Sequence, residues 1–365
     1  MRILIFNWRD IKNPDAGGAE VFTHQIAKRW VEWKHQVTLF TAEFPGGSTE
    51  EVVDGVHVVR RGGRYSVYWR AKGFYRSLPR GSFDVVIDEI NTRPFFASEF
   101  VSDAKVVALI HQLAREFWNY EMTFPLGYVG RYLLEPRWLR KYARIPTVTV
   151  SESTRHDVLS LGFKEVYIVR NGANIAPMAQ VPRKADVPTL VFVGRVRKAK
   201  LPEHALIAFS EVHRQIPDMR LWFMGDGYLR PALEKRWGND DGVRFLGRVP
   251  ETEKLRLLSE AHAVLVPGVR EGWGQVVIEA NACGTPAIGY NIPGIRDSIR
   301  HEVTGLLTKD KSPKSLSEQI ARLLGNKELQ RSLSENALAW SREFSWDKSA
   351  ADFMGVLENA VVRHD

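Results

Sequence analysis

The fold is decided by residues 263–288, which read AVLVPGVREGWGQVVIEANACGTPAI. The apolar run Ala263–Val266 predicts a buried strand, and the glycine-rich stretch after it predicts a turn that leads into a short helix. A Gly-Thr-Pro sequence at 284–286 then begins the next strand, Pro286–Ile288. A strand, a helix and a strand in this order predict a βαβ unit with parallel strands.

The same rhythm extends through the rest of the chain. Apolar residues at spacings of three and four predict a helix that carries Phe22, Ile26, Trp30 and Trp33 on one face. Strands interleaved with helices predict an α/β protein with doubly wound parallel sheets. Short apolar runs predict the other strands, which are Ile3–Phe6, Val37–Phe40, Val56–Val59, Val85–Ile87, Val106–Ile110, Val148–Val150, Tyr167–Val169, Leu190–Val193, Leu221–Met224, Val243–Leu246 and Leu306–Leu307.

Two domains are expected from the length and from a break in this pattern. The chain has 365 residues, where one domain usually takes ~150. Prolines and small residues interrupt the pattern at Ala176–Pro188. We predict an N-terminal domain at 1–180, a C-terminal domain at 185–345, and a last helix at 346–365 that packs back on the first domain. Two such domains place a ligand cleft at the carboxyl ends of their sheets.

Composition narrows the class of protein. Lys and Arg number 51 against 43 Asp and Glu, and the net charge of +8 favours an anionic partner such as phosphates, nucleic acid or a membrane surface. The single cysteine, Cys283, excludes intrachain disulfides and clusters of cysteine metal ligands. No apolar run approaches the ~20 residues of a membrane span, and the opening residues are too short for a signal-peptide core. We therefore expect a cytoplasmic enzyme.

Gly17 and Gly18 lie where the loop after the first strand enters a helix. Free backbone N–H groups at such a place, together with the helix dipole, suit an anionic ligand. An ordinary turn before a helix is the alternative, and the residues leave both interpretations open.

The second domain opens with a strand that ends in Gly194 and Arg195, and Lys200 follows five positions after the arginine. Two cations at the carboxyl edge of a sheet can stabilise the charge on a diphosphate as it leaves a sugar nucleotide. A solvated basic loop is the alternative interpretation.

Glu271 and Glu279 are eight positions apart, which spans about 12 Å if most of the segment is helical. That distance is similar to the reach from the hydroxyls of a donor sugar to the ribose of its nucleotide. One carboxylate can bind each group, while the N-terminus of the helix between them faces the diphosphate. The alternative is that both glutamates are solvated charges.

Taken in order along the chain, these motifs resemble the retaining GT-B glycosyltransferases of family 4, also called glycosyl transferases group 1. The most specific piece is the Glu271/Glu279 pair, which follows Val-Pro and precedes Gly-Thr-Pro. The resemblance covers nearly the whole chain. Its other pieces are Gly17-Gly18-Ala19-Glu20, His111 after a strand, Ser151-Glu152-Ser153, Asn171-Gly172, Gly194-Arg195 with Lys200, Gly225-Asp226-Gly227, Phe245-Leu246-Gly247 and Thr304-Gly305-Leu306-Leu307.

This resemblance implies two Rossmann-like domains that face each other across a cleft, the first binding the acceptor and the second the nucleotide sugar. It implies a retaining transferase that moves a hexosyl group from a UDP- or GDP-linked sugar to the hydroxyl of a glycan, a lipid-linked molecule or a small molecule. The implied catalytic residues are Arg195 and Lys200 at the diphosphate, and Glu271 and His111 at the sugar. The implied donor-binding residues are Gly17, Gly18, Gly194, Gly272, Trp273, Gly274 and Glu279.

No metal and no cofactor are expected besides the donor substrate, because the sequence has no Asp-x-Asp pair and no zinc-type histidine spacing. Three positions depart from the family pattern: Leu201 replaces a common glycine, Asn174 replaces the usual aspartate, and Pro293–Asp297 replaces Gly-Gly-x-x-Glu. Two other functions stay open. A GT-B sugar-nucleotide epimerase would release diphosphate without an acceptor, and a nucleic-acid-binding protein is suggested only by the charge.

Basic and aromatic residues of the N-terminal domain indicate where an acceptor could bind. Seven basic and no acidic residues lie between 60 and 80, and a helix at Val67–Leu78 would align Tyr68, Ala71, Tyr75 and Leu78. Such mixtures suit a peripheral contact with an anionic membrane at its inner face, which would present a lipid-linked or anionic acceptor. The alternative is that the tyrosines pack on their own sheet and the arginines are solvated. The residues concerned are Arg60, Arg61, Arg64, Arg70, Lys72, Arg76 and Arg80, then Phe117, Trp118, Tyr128, Arg131, Tyr132, Arg137, Trp138, Arg140, Lys141 and Arg144.

Overall fold

The computed structural model of the protein describes residues 1–362, which divide into two compact units. Unit 1 comprises Met1–Trp118, Phe124–Gly172 and the chain from Ser345 onward. Unit 2 comprises Asn119–Thr123 and Ala173–Phe344. The last three positions of the helix predicted at 346–365, residues 363–365, lie outside the described residues.

Strands and helices alternate along most of both units. The strands are β1 (Arg2–Phe6), β2 (Gln36–Thr41), β3 (Glu50–Val53), β4 (Val56–Arg60), β5 (Val85–Glu89), β6 (Lys105–Ile110), β7 (Thr147–Thr149), β8 (Val166–Ile168), β9 (Thr189–Val193), β10 (Arg220–Met224), β11 (Val243–Gly247), β12 (Ala263–Val266), β13 (Ala287–Tyr290) and β14 (Gly305–Thr308). The helices are α1 (Gly18–Glu32), α2 (Val67–Ser77), α3 (Glu116–Glu121), α4 (Leu126–Val129), α5 (Glu135–Arg140), α6 (Glu152–Leu159), α7 (Pro202–His213), α8 (Arg230–Trp237), α9 (Glu251–Glu260), α10 (Gln275–Ala282), α11 (Ile295–Ser298), α12 (Pro313–Leu324), α13 (Lys327–Ser341) and α14 (Trp346–Val362).

Unit 1 contains an eight-stranded sheet in the order β3-β4-β2-β1-β5-β6-β7-β8. Neighbouring strands are parallel except β3 and β4, which are antiparallel at one edge. Because β1 and β5 lie side by side in the centre, they are almost entirely buried, and most of their residues are apolar. β5 nevertheless ends in the buried carboxylates Asp88 and Glu89. The carboxyl ends of β1, β2, β4, β5 and β6 share one edge of this sheet.

Unit 2 contains a six-stranded sheet in the order β11-β10-β9-β12-β13-β14, and all of its neighbouring strands are parallel. Its core includes the stacked rings of Phe192 and Phe223, whose centroids are 4.5 Å apart. In this order β9 and β12 are neighbours, so the loops that leave their carboxyl ends are adjacent. The α/β class with two parallel sheets, predicted from the sequence, is confirmed.

The last helix, α14, belongs to unit 1 and packs on α1. The indole Nε1 of Trp30 donates to the carbonyl of Ala350 at 3.0 Å, and its ring lies 5.3 Å from that of Phe353. The stripe of Ala350, Phe353 and Leu357 is fully buried. The apolar periodicity near the end of the chain therefore marks the face that returns to the first unit.

Three details differ from the predictions. Trp33 does not lie on the buried face of α1, because that helix ends at Glu32 and 41% of Trp33 is exposed. The strand β3 was not predicted, since its sequence Glu-Glu-Val-Val at the sheet edge lacks an apolar run. Arg60 is not solvated: its guanidinium is completely buried and binds Asp10 at 2.7 Å.

The tyrosines of α2 pack on the core of unit 1, so that alternative for the helix is confirmed. Ala71 is buried, and Tyr68 and Tyr75 are half-buried against the cluster that contains Phe6 and Phe95. Among residues 1–362, no helix combines the length and the apolar character that crossing a bilayer requires.

Candidate active site

Lys200 and Glu271 form an ion pair at the carboxyl edge of the unit 2 sheet. Lys200 ends a single 3₁₀ turn, Lys198–Lys200, in the loop after β9, and Glu271 lies in the loop after the neighbouring strand β12. Their side chains are 21% and 18% exposed. Both side chains keep some contact with water, so an anionic ligand that reaches this edge can compete with Glu271 for the ammonium group of Lys200.

The backbone of Glu271 is held by the loop after β13. Its N–H donates to the carbonyl of Pro293 at 3.1 Å. Gly294 has a φ of +84°, and a Cβ there would lie 2.2 Å from the carbonyl oxygen of Glu271. The same glycine's N–H donates to Asp297 at 2.9 Å. The Pro-Gly-x-x-Asp sequence that departs from the family pattern thus positions the loop of Glu271.

Glu279 lies on α10 and is almost completely buried. Its carboxylate accepts from the Nδ2 of Asn174 at 2.8 Å and from the Nζ of Lys254 at 3.2 Å. Burial raises the pKa of Glu279, and Lys254 and Asn174 offset part of that shift. Asn174 can donate here, whereas an aspartate at this position would oppose a second carboxylate. The departure from the family pattern at Asn174 therefore has a physical reason.

The glycine-rich turn before α10 contains three predicted donor-binding residues. Gly274, the N-cap of α10, has a φ of +79°, and a Cβ there would lie 2.9 Å from the Oγ of Ser298. Gly272 is half-buried. Trp273 is 4% exposed and its ring meets that of Phe344 edge-on at 5.3 Å, so this side chain belongs to the core of unit 2.

Gly194 and Arg195 lie directly after β9, where both are half-buried. The N–H of Gly194 donates to the carbonyl of Met224 at 3.1 Å. A Cβ on Gly225 would lie 1.8 Å from the carbonyl oxygen of Gly194, and Gly225 has a φ of +131°. Only glycine allows the loops after β9 and β10 to approach this closely, which fixes the start of the loop that carries Lys200.

In unit 1, Gly17 and Gly18 stand at the start of α1, as predicted. The N–H of Gly17 is not free, however. It donates to the carboxylate of Glu20 at 2.7 Å, and the same carboxylate binds Arg9 at 3.0 Å. The expectation of a free N–H group at Gly17 is therefore wrong, because Glu20, three positions into the helix, caps the helix start itself.

His111 follows β6 and is 8% exposed. Its Nε2 is 3.3 Å from Oε1 of Glu89, and its ring meets that of Phe22 edge-on at 5.0 Å. Its carbonyl accepts from the hydroxyl of Thr154 at 3.1 Å, on the helix capped by Ser151. The Ser-Glu-Ser motif is thus the helix start that supports the loop of His111.

Glu89, at the end of β5, is completely buried and accepts from the hydroxyl of Thr23 at 2.5 Å. Burial raises the pKa of Glu89, and contacts with His111 and Thr23 offset part of that shift. Within the described residues 1–362, no group of three or more His, Cys, Asp and Glu side chains could hold a metal ion.

Comparison with known proteins identifies the family. Residues 16–176 match the family described as "Glycosyltransferase Family 4", and residues 176–340 match the family described as "Glycosyl transferases group 1". The chain belongs to the group 1 glycosyltransferases. Across 409 aligned residues it is 25% identical to a D-inositol 3-phosphate glycosyltransferase of Salinispora tropica, covering 96% of this chain and 82% of that protein.

Solved structures with the same fold are also glycosyltransferases. The sucrose-phosphate synthase of Thermosynechococcus elongatus superposes with a TM-score of 0.82 at 19% identity, over 100% of both chains. HepE of Anabaena, solved in complex with UDP-glucose, superposes with a TM-score of 0.75 at 16% identity, over 98% of this chain and 100% of that chain. The glycosyltransferase described here therefore has the GT-B fold.

Within this glycosyltransferase, the predicted site residues fall into two groups. Unit 2 brings Lys200 into contact with Glu271, on neighbouring loops, and it also carries Glu279, Arg195 and the glycine-rich turn. Unit 1 carries His111, Gly17 and Gly18.

Three residues that support these side chains, directly or through one another, were not predicted. Lys254 lies on a helix, α9, in which charged residues are frequent, so the sequence contains no signal for its role at Glu279. The sequence around Thr23 likewise contains no signal for its contact with Glu89. Glu89 does have one, because Asp88 and Glu89 place two consecutive carboxylates in a strand that is otherwise apolar.

Proposed function

We propose that this protein is a retaining, metal-independent hexosyltransferase that moves a hexosyl group from a UDP- or GDP-linked sugar to an acceptor hydroxyl. The observation that carries the proposal is the Lys200–Glu271 ion pair at the carboxyl edge of the unit 2 sheet. Parallel α/β sheets bind their ligands at this edge.

The two cations act on the leaving group. When a donor binds, Lys200 exchanges Glu271 for an oxygen of the diphosphate, and Arg195 adds a second positive charge. The bond between the anomeric carbon and the phosphate oxygen breaks, and both electrons of that bond go to the diphosphate. Fixed cations stabilise this developing charge, so the reaction needs no metal ion.

The two glutamates hold the donor rather than attack it. Glu271, released by Lys200, accepts from hydroxyls of the transferred sugar, and Glu279 accepts from the ribose of the nucleotide. The acceptor hydroxyl adds to the anomeric carbon on the face that the diphosphate leaves, and its proton passes to the leaving oxygen. The configuration of the anomeric carbon is then retained.

A uridine nucleotide is our preferred donor, and HepE, solved with UDP-glucose, supports this choice by its common fold. A polyol or sugar acceptor is supported by the relative from Salinispora tropica, which is named for inositol 3-phosphate. The relatives named above are glycosyltransferases, so transfer is favoured over epimerisation. We place the enzyme in the cytoplasm.

A peripheral contact with an anionic membrane is a further part of the proposal. It is supported by the segment 124–134 of unit 1, which we call the apolar segment. The side chains of Phe124, Leu126, Tyr128 and Tyr132 in it are all more than half exposed. Arg137 and Arg140, which follow it, are exposed cations.

The proposal is tested first by a thermal-shift panel of sugar nucleotides. A donor at a hundred times its dissociation constant stabilises the protein by about 2.7 kcal/mol. Nuclear magnetic resonance of the product, formed with the matching donor in EDTA, then reports the anomeric configuration. Inversion, loss of activity in chelator, or diphosphate release at full rate without acceptor would contradict the proposed reaction.

A further inference from the structure

Three loops at the carboxyl edge of the unit 1 sheet are bound to one another. The loop after β1 carries Asn7, whose Oδ1 accepts from Asn91 at 3.0 Å in the loop after β5. That second loop is fixed by Asp88, which accepts from the N–H groups of Phe95 and Ala97 at 3.1 and 3.0 Å. The ring of Tyr68, at the start of α2, lies 4.7 Å from that of Phe95 and joins the third loop, which follows β4.

Two arginines in these loops lie over aromatic rings. The guanidinium of Arg64 is 5.5 Å from the ring centre of Trp8 and 5.6 Å from that of Tyr65. The guanidinium of Arg93 is 5.0 Å from the ring centre of Tyr68 and 5.2 Å from that of Trp69. Cation–π contacts of this kind orient a guanidinium without using its N–H donors. The arginine–aromatic cluster consists of Trp8, Arg64, Tyr65, Tyr68, Trp69 and Arg93.

Neither arginine of the cluster is neutralised by the protein. Neighbouring Arg9 pairs with Glu20, and Arg60 pairs with Asp10. By contrast, Arg64 and Arg93 form no ion pair with any residue in the part of the chain that the structure describes, 1–362. The Nε of Arg93 and the Nε1 of Trp8 are both buried and make no hydrogen bond. Buried donors without a partner are costly, so an acceptor atom that reached these two would bind favourably.

The electrostatics of Tyr68 agree with this arrangement. Burial raises the pKa of Tyr68 to about 12, although Arg93, Arg64 and Arg9 all act in the opposite direction. Three guanidiniums are therefore within electrostatic reach of one phenol group. Two of them, those of Arg64 and Arg93, have no carboxylate partner within the described residues, 1–362.

We propose that the arginine–aromatic cluster is the binding site for the phosphate group of a phosphorylated acceptor. Arg64 and Arg93 bind the phosphate oxygens, for which the planar fork of guanidinium donors is well suited. The rings of Tyr65 and Trp69, which are 71% and 65% exposed, cover the carbon skeleton of the acceptor. This inference rests on the proposed transferase function and adds a class of acceptor to it.

The phosphate can belong to a soluble polyol phosphate or to a lipid headgroup, and titration calorimetry of the full chain distinguishes these sources. The soluble probes are D-inositol 3-phosphate and unphosphorylated inositol. The lipid probes are phosphatidylcholine vesicles with and without phosphatidylinositol. In one of the two pairs we expect the anionic member, D-inositol 3-phosphate or the vesicles that contain phosphatidylinositol, to bind at least about tenfold more tightly than its control, as charge-assisted hydrogen bonds predict.

The variants Arg64→Gln and Arg93→Gln are each expected to weaken that binding at least about tenfold. Arg76→Gln is the matched control, since Arg76 is an exposed arginine of α2 outside the cluster. It removes the same charge and is expected to change binding by less than about twofold. Stabilisation by sugar nucleotides is expected to persist in all three variants, which shows that they fold and that the donor site is intact.

Three outcomes would overturn the assignment of the cluster. They are equal binding of both members of each pair, binding of neither member, or equal weakening by Arg93→Gln and Arg76→Gln. Failure of the proposed transferase function has a different signature, because then no sugar nucleotide stabilises even the unaltered protein.

Discussion

The carboxyl edges of the two sheets carry opposite charge arrangements. In unit 2 each glutamate of the site has a lysine, Lys200 for Glu271 and Lys254 for Glu279. In unit 1 the buried Glu89 accepts from Thr23 and lies 3.3 Å from His111, while two arginines lie over aromatic rings with no carboxylate partner among residues 1–362. A paired site can exchange partners when a charged donor enters. An edge with unpaired cations instead attracts an anion directly.

The largest effect on turnover is expected at the cations of unit 2, where Lys200 exchanges Glu271 for the diphosphate of the donor. Lys200→Ala leaves the leaving diphosphate with one fixed cation fewer, and we expect turnover to fall at least about 100-fold. We expect Arg195→Ala to lower turnover by a similar factor. Lys198→Ala is the matched control, because Lys198 is an exposed lysine of the same turn. Steady-state rates measured with saturating donor test this prediction. Near-normal turnover of both variants would show that Lys200 and Arg195 do not stabilise the leaving group.

A smaller effect is expected from the loop that positions Glu271. Gly294→Ala combines a φ of +84° with a Cβ only 2.2 Å from the carbonyl oxygen of Glu271. We expect a loss of about 1–3 kcal/mol in the free energy of unfolding, together with reduced turnover. Gly73→Ala is the control: Gly73 is helical, and a Cβ there meets nothing within 4 Å. Denaturant unfolding of both variants tests this, and equal stability would show that the loop tolerates a side chain.

The third prediction uses the buried carboxylate of unit 1. Since burial raises the pKa of Glu89 in the folded state, the folded protein binds the proton more tightly than the unfolded chain. Stability from this group is therefore present below the unfolded pKa, about 4.3, and falls as the pH rises towards the folded value. The slope reaches about 1.4 kcal/mol per pH unit.

Glu89→Gln removes this titration and is expected to flatten the dependence of the melting temperature on pH in that window. Glu32→Gln, a change at an exposed glutamate of α1, serves as the control. Melting curves measured from pH 4 to 8 make the comparison, and parallel curves for wild type and Glu89→Gln would contradict it.

The sequence was most informative about features that are encoded by neighbouring residues, such as apolar strands and the motifs that follow them. Apolar runs predicted thirteen strands but not β3, whose glutamates break the pattern at a solvent-facing edge. Lys200 and Glu271 were predicted as site residues from their spacing to Arg195 and Glu279 after a strand, and their catalytic roles came from the resemblance to the family. The contacts of Glu279 and Glu89 could not be predicted from their sequence neighbours, since Lys254 reaches Glu279 and Thr23 reaches Glu89 only through the packing of other helices. The helix cap by Glu20 could have been predicted from its spacing to Gly17.

The smallest effect is expected from the apolar segment 124–134 of unit 1. Each cation near an anionic bilayer contributes about 1 kcal/mol, so Arg137→Gln is expected to lower the partition coefficient onto anionic vesicles by about fivefold. Phe124→Ser, at a side chain that is 87% exposed, is expected to act in the same direction. Val52→Ser is the control, since Val52 is an apolar residue of unit 1 that is 66% exposed outside the segment. Sedimentation with anionic and neutral vesicles at low and high salt measures the partition, and equal recovery in every supernatant would leave a soluble acceptor as the better interpretation. Since this test changes Arg137 and not Arg64 or Arg93, it separates attraction of the whole surface to a bilayer from phosphate binding at the cluster.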